Sequence, residues 1–93
     1  AQKVAEKLAG VARTKQVLCV THLPQLAAMA DVHFSVEKGE KNGRTFTRVE
    51  RLSRERRMEE LARLTSGDHI TDATRRAAGE LLDSAEQFKK KGK

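Results

Sequence analysis

His22 is the residue best placed to do chemistry. It follows Gln16-Val17-Leu18-Cys19-Val20-Thr21 and precedes Leu23-Pro24-Gln25. Val17 to Val20 form a short apolar run, rich in β-branched residues, between polar flanks. Such a run reads as a strand buried on both faces. Pro24 has no backbone N–H and stops a ladder there. The histidine therefore falls at the carboxyl end of a buried strand, the edge where open α/β sheets bind ligands. A histidine there can donate a hydrogen bond to a phosphate oxygen and help to place an attacking water. From spacing alone, a histidine that merely caps its loop is the slightly favoured reading, because one His after a strand is weak evidence.

Other chemistries find less support. Cys19, His22, Asp31, His33 and His69 are the conceivable metal ligands. Cys19 and His22, three apart on a strand, would point to opposite faces. His33 belongs to the polar face of its own strand, and His69 to a loop, so no paired zinc-type spacing emerges and no metal site is expected. The same geometry argues against a Cys-His nucleophile pair. Cys19 is most simply a small buried hydrophobe. Arg54, Arg56 and Arg57, with Arg63, could touch a phosphate backbone. Glu55, Glu59 and Glu60 are interleaved with them, however, and a solvated helix face explains the pattern better. The same holds for Arg75 and Arg76. The tail Lys89-Lys90-Lys91-Gly92-Lys93 reads as a solvated terminus able to touch nucleic acid weakly. No Gly-rich phosphate loop is present, so this chain alone has no grip for a nucleotide.

The elements that position these residues follow from periodicity. Residues 2–13 read as a helix, with Val4, Leu8 and Val11 on one stripe and Ala5, Ala9 and Ala12 beside it. Arg13-Thr14-Lys15 turns into the strand 16–21, the helix-strand order of a parallel sheet. Gln25 to Ala30 reads as a short helix ended by Asp31. Val32, Phe34 and Val36 alternate with His33, Ser35 and Glu37, a strand with one buried face. Asn42-Gly43 in the loop 38–43 is a hairpin turn signal. Residues 44–52 return as a second, edge-like strand. Ser53 caps the next helix, whose stripe is Met58, Leu61, Ala62 and Thr65, with Gly67 closing it. Thr71 caps a last helix lined by Ile70, Thr74, Ala77, Leu81, Ala85 and Phe88. The expected order is α-β-(short α)-β-β-α-α: one buried parallel strand, a hairpin and two terminal helices.

With 93 residues, the chain suits one small unit with a thin core. Its hydrophobic content is 38%, its charged content 34%, and it has three Phe with no Trp or Tyr. A net charge of +6, shared by both halves, permits nucleic-acid contact without demanding it. A single Cys excludes an internal disulfide and fits a reducing compartment. No apolar run approaches the roughly 20 residues of a membrane span. The chain opens in helical phase, without a capping residue. A lone parallel strand also needs neighbours. Both features lead us to expect residues 1–93 to be a single fragment of a larger domain, whose remaining strands lie upstream of Ala1 or come from another chain.

One set of residues carries a family resemblance. Leu8-Ala9-Gly10, followed by Gln16-Val17-Leu18-Cys19-Val20-Thr21-His22-Leu23-Pro24-Gln25-Leu26-Ala27-Ala28-Met29-Ala30-Asp31, resembles the carboxyl-terminal region of the RecN family of bacterial DNA-repair proteins. Arg44-Thr45 with Val49, Glu60-Leu61-Ala62-Arg63-Leu64 and Ile70-Thr71 agree in order. Thr65-Ser66-Gly67 departs mildly, and the stretch from Gln87 is not diagnostic.

The resemblance implies an α/β fold: the carboxyl-terminal lobe of a P-loop, ABC/SMC-type ATPase head built from both ends of a chain with a long coiled coil between. The Gly-rich loop would lie far upstream, and the signature, acidic metal-binding and D-loop motifs just before Ala1. On that mapping His22 matches the switch histidine, which contacts the terminal phosphate of ATP. ATP and Mg would serve the intact parent, with no tight binding by this fragment alone. Its partners would be the amino-terminal half of its own head, a second head and DNA, with no membrane, in the nucleoid-associated cytoplasm. A basic lobe that binds DNA or a partner, without catalysis, is the competing reading.

Overall fold

A computed structural model describes residues 1–91, so Gly92 and Lys93 of the expected basic tail lie outside the described residues. The order is α1 (Gln2–Ala12), α2 (Pro24–Met29), β1 (Phe34–Lys41), β2 (Arg44–Arg51), α3 (Arg54–Ser66) and α4 (Asp72–Lys91). Four helices and one antiparallel two-stranded ribbon thus make a small α/β arrangement.

The buried parallel strand expected at 16–21 is absent. Residues 16–21 run as irregular backbone, with Leu18 90% and Val20 97% exposed. The physical reason is the lack of a partner. A strand needs neighbouring N–H and C=O groups, and the only ladder among the described residues is β1–β2. Cys19 is likewise exposed, not buried.

The helical ends obey local chemistry. The backbone N–H of Arg56 donates to Ser53 Oγ (3.3 Å), capping α3, and Gly67 closes it at φ 71°. Ahead of α4, Thr71 and Thr74 cap reciprocally. Thr74 N–H donates to Thr71 Oγ1 (3.1 Å) and Thr71 N–H to Thr74 Oγ1 (2.9 Å), a capping box with threonine in the glutamate position. Pro24 occupies the first turn of α2, where its missing N–H costs nothing.

The core is built largely of alanine. Ala5 of α1, Ala27, Ala28 and Met29 of α2, Leu61 and Ala62 of α3, and Ala78, Leu82 and Ala85 of α4 form one cluster. Small side chains let α2 approach α1, α3 and α4 closely. Two expected helix faces are rotated. In α1 the alanine stripe faces inward, and Val4 and Val11 stay half exposed. In α4 the buried line is Ala78, Leu82 and Ala85, while Ala77 is exposed. That helix also continues through Lys91, so Lys89 to Lys91 extend a helix where a frayed tail was expected.

The ribbon turns at Asn42 (φ 54°) and Gly43 (φ 74°), both left-handed as a type I′ turn requires. Val36 opposes Val49 and Phe34 opposes Arg51 on one face. That face was expected to be buried, yet Phe34, Val36 and Val49 are all more than half exposed. On the other face Phe46 lies over Gly39, where an added Cβ would meet its ring at 2.5 Å. Only the ribbon's base is tied down, through buried Leu52, whose N–H donates to His33 O at 2.8 Å.

A closed globule of this mass would expose about 5400 Å², whereas this chain exposes 7312 Å². Its radius of gyration, 14.5 Å, also exceeds the roughly 12 Å of a compact domain of this length. Much apolar surface is therefore left uncovered. We expect Leu61→Ala to lower the unfolding free energy by about 3 kcal/mol, and Leu18→Ala to change it by less than about 0.5 kcal/mol. Urea titration of chain 1–93 followed by circular dichroism compares the two.

Candidate functional site

All four helices, the stretch 16–22 and the ribbon border an open, mainly apolar concavity of about 1540 Å³. Its wall includes Leu8 and Ala9 of α1, the stretch 16–22, Val36 and Val49 of the ribbon, and Leu64 and Phe88 of the last two helices. It exceeds the roughly 300–1,000 Å³ of a small-molecule pocket.

His22 sits on this wall, exposed, between α1 and α2. The turn that presents it is closed by its neighbour: Leu23 N–H donates to Thr21 Oγ1 at 3.0 Å. Among the described residues the His22 ring forms no hydrogen bond, so loop capping falls to Thr21 and the imidazole is left available. No three His, Cys, Asp or Glu side chains converge as a metal site among the described residues.

The arginines that could have touched phosphate, for which a solvated helix face was the better reading, have partners inside the fold. Arg54 bridges α3 to α4 through Asp83 Oδ1 (2.6 Å) and Glu86 Oε1 (2.9 Å). Arg56 reaches Glu50 of the ribbon at 3.4 Å. Arg63 pairs with Glu60 on its own helix. Arg57 is half-buried, and its Nη2 donates to the carbonyls of Ala27 (3.2 Å), Ala28 (3.3 Å) and Ala30 (2.9 Å). These belong to the end of α2, where Ala27 O also accepts from the Ala30 N–H (3.3 Å) and the carbonyls beyond it lack helical partners. Lys89 adds a second cation there, donating to Ala30 O (3.4 Å) and Asp31 Oδ1 (3.0 Å).

This arrangement was hidden in the sequence, because Arg57 and α2 lie some 30 residues apart. The one local signal is a six-residue helix with no basic residue in its last turn. Burial, then the nearby Arg54 charge, lower the proton affinity of Arg57 below the ordinary arginine value. His33, at the ribbon base, has a lowered pKa for the same first reason, burial. Arg57 lowers it further, and Glu60 opposes the shift. Its Nδ1 is buried without a hydrogen-bond partner, as is Arg57 Nε.

The chain has close relatives of known kind, although no family model matches it. It is 50% identical over 92 residues to DNA repair protein RecN of Bacillus subtilis. That alignment covers 99% of this chain and 16% of the relative. RecN of Halalkalibacterium halodurans is 46% identical over 89 residues, covering 96% and 16%. RecN of Deinococcus radiodurans is 48% identical over 79 residues, covering 85% and 14%. The chain matches a segment of RecN. It spans about one sixth of the length of these RecN relatives. No helix among the described residues is long and apolar enough to cross a membrane.

Arg57→Met would remove a donor shared by three carbonyls and leave Ala28 O without one, since Ala27 O keeps the Ala30 N–H and Ala30 O keeps Lys89; it should cost about 2 kcal/mol. Arg54→Met, losing exposed pairs only, should cost about 1 kcal/mol or less. Denaturant midpoints of the two variants decide. His33 supplies a pH test. Its folded pKa lies below the unfolded value, so the unfolded chain binds the extra proton first, and stability falls as pH drops below about 6.5. The thermal midpoint should fall between pH 7.5 and pH 5.5, and fall less in His33→Gln. An equal fall in both would remove His33 as the cause.

Proposed function

We propose that the chain is the carboxyl-terminal lobe of the ATPase head of a RecN-type protein acting in recombinational repair of DNA double-strand breaks, with His22 as its switch histidine. The observation that carries this is the state of His22: exposed, free of internal hydrogen bonds, and held by the Thr21–Leu23 turn at the mouth of α2. It suits a group that must reach a ligand held by another part of the protein.

The residues present fit one contact to a nucleotide. His22 would donate an N–H hydrogen bond to a terminal phosphate oxygen and help orient the attacking water. ATP with Mg would supply the transferable phosphoryl group and its charge-neutralising metal. Nothing else among the described residues cradles a nucleotide phosphate, so the isolated lobe should neither hold nucleotide tightly nor turn it over. On this reading the apolar concavity is covered by the amino-terminal half of the same head. Its size and apolar lining suit packed protein better than a small ligand. A second head would complete the site, in a protein of the nucleoid-associated cytoplasm.

The rival reading, a basic lobe that binds DNA or a partner without catalysis, rests on Arg54, Arg56 and Arg57. Each already has a partner within the fold, which weakens it.

The test is steady-state ATPase of the intact parent carrying His22→Ala. Turnover should fall by about 100-fold or more, with ATP affinity changed only a few-fold. Unchanged turnover would leave His22 structural and defeat the catalytic part of the proposal.

A further inference from the structure

The ribbon tip concentrates charge that nothing in the fold uses. Lys41 and Arg44 stand directly opposite each other on the two sides of the Asn42-Gly43 turn. Like charges so placed destabilise a ribbon. Arg48 lies on the same face as Arg44, with Phe46 between them packed over Gly39. Lys38 occupies the opposite face near the tip. Glu37 stands across from Arg48 without an ion pair, and the other acid on that face, Glu50, is already held by Arg56. Lys38, Lys41, Arg44 and Arg48 all lack ion-pair partners among the described residues. The tip is exposed on both faces.

We propose that the tip of the β1–β2 ribbon, through Lys41, Arg44 and Arg48, is a contact site for the phosphate backbone of double-stranded DNA. The proposal rests on the DNA-directed reading above and deepens it by naming a surface. The dimensions agree. A two-stranded ribbon enters a B-form major groove about 12 Å wide. Arg44 and Arg48, four residues apart, lie about 13 Å apart along the strand, enough to reach phosphates on both groove walls. The deep, narrow major groove of A-form RNA would not admit the ribbon. The repulsion between Lys41 and Arg44 is relieved when phosphate lies against them.

The experiment uses the intact parent and a fluorescent 30-base-pair duplex, with affinity measured between 50 and 200 mM salt. Replacing Lys41, Arg44 and Arg48 together by Gln should flatten the log–log salt dependence by about 2 to 3, close to one for each phosphate no longer neutralised. A variant with Lys3, Lys7 and Lys90 replaced by Gln removes the same charge elsewhere and should keep the original slope. Exchanging Lys for Arg, and Arg for Lys, at the tip should keep it too.

A tip variant with an unchanged slope, or a control variant whose slope flattens as much, overturns the proposal. So does a tip variant that alters self-association in sedimentation while its DNA binding is intact, because the tip would then be a protein interface. If the unmodified parent binds no duplex, the DNA-directed reading fails with it, an outcome distinct from failure of the tip alone. A footprint needs no variant: duplex DNA should shield Lys38 and Lys41 of the unmodified parent from acetic anhydride, and leave Lys3 and Lys7 reactive. Full reactivity of Lys38 and Lys41 in the complex also overturns the proposal.

Discussion

The fold hangs on the end of α2. A six-residue helix is too short to persist by itself, since nucleation costs are not recovered in so few residues. Here it sits at the centre, touching α1, α3 and α4. Its terminal carbonyls need donors, and Arg57 supplies one group bonded to three of them, with Lys89 of α4 adding another bond at Ala30. Two distant helices thereby fix where α2 stops. That stop in turn positions Asp31 to His33 and the base of the ribbon. The Leu52–His33 hydrogen bond then ties the far strand to the same point. Loss of this grip would loosen the ribbon, α4 and the His22 turn together, because all three are referred to α2.

Around that joint the packing is close but slight. Alanine brings helix axes near one another and buries little area per residue. Among the described residues, Leu61 and Leu82 are the largest side chains buried completely. The apolar surface that would normally thicken such a core lies instead on the concavity wall, in Leu18, Val20, Phe34 and Val36. A wall with this composition is suited to being covered by further protein. The cost of leaving it wet scales with area, at about 25 cal/mol per Å². The excess over a closed globule, about 1900 Å², would at that rate outweigh the whole stability of a typical domain several-fold if it were all apolar.

Local signals were legible in the sequence and non-local ones were not. Asn42-Gly43, the Ser53 and Thr71 caps and the Gly67 stop each act within a few residues, and each is found where the sequence places it. The run Val17–Val20 reports a preference for burial, but forming a strand also requires a neighbour, and no neighbour is encoded nearby. Helix faces were misjudged for a related reason. In α1 the larger valines suggested the inward stripe, whereas close approach to α2 selects the alanines. The role of Arg57 was illegible because its acceptors are backbone carbonyls, which carry no sequence signature.

The histidine belongs to both classes. Its place before Pro24, in a turn, is a local fact, readable from Thr21-His22-Leu23-Pro24. Its proposed work is not local, because the chain has no phosphate loop and the imidazole meets no partner of its own. A residue held in position by a short turn, yet left unsatisfied, makes sense when its ligand arrives on another surface. Segment 16–21 describes the same situation in apolar terms, with side chains fit for burial and no strand beside them. One covering surface would therefore satisfy both. Covering the concavity would order the segment that leads into the Thr21 turn, and so restrain His22 at the moment its target is brought near. On the proposed reading, the physical link between assembly and chemistry would then be the six residues immediately before the histidine.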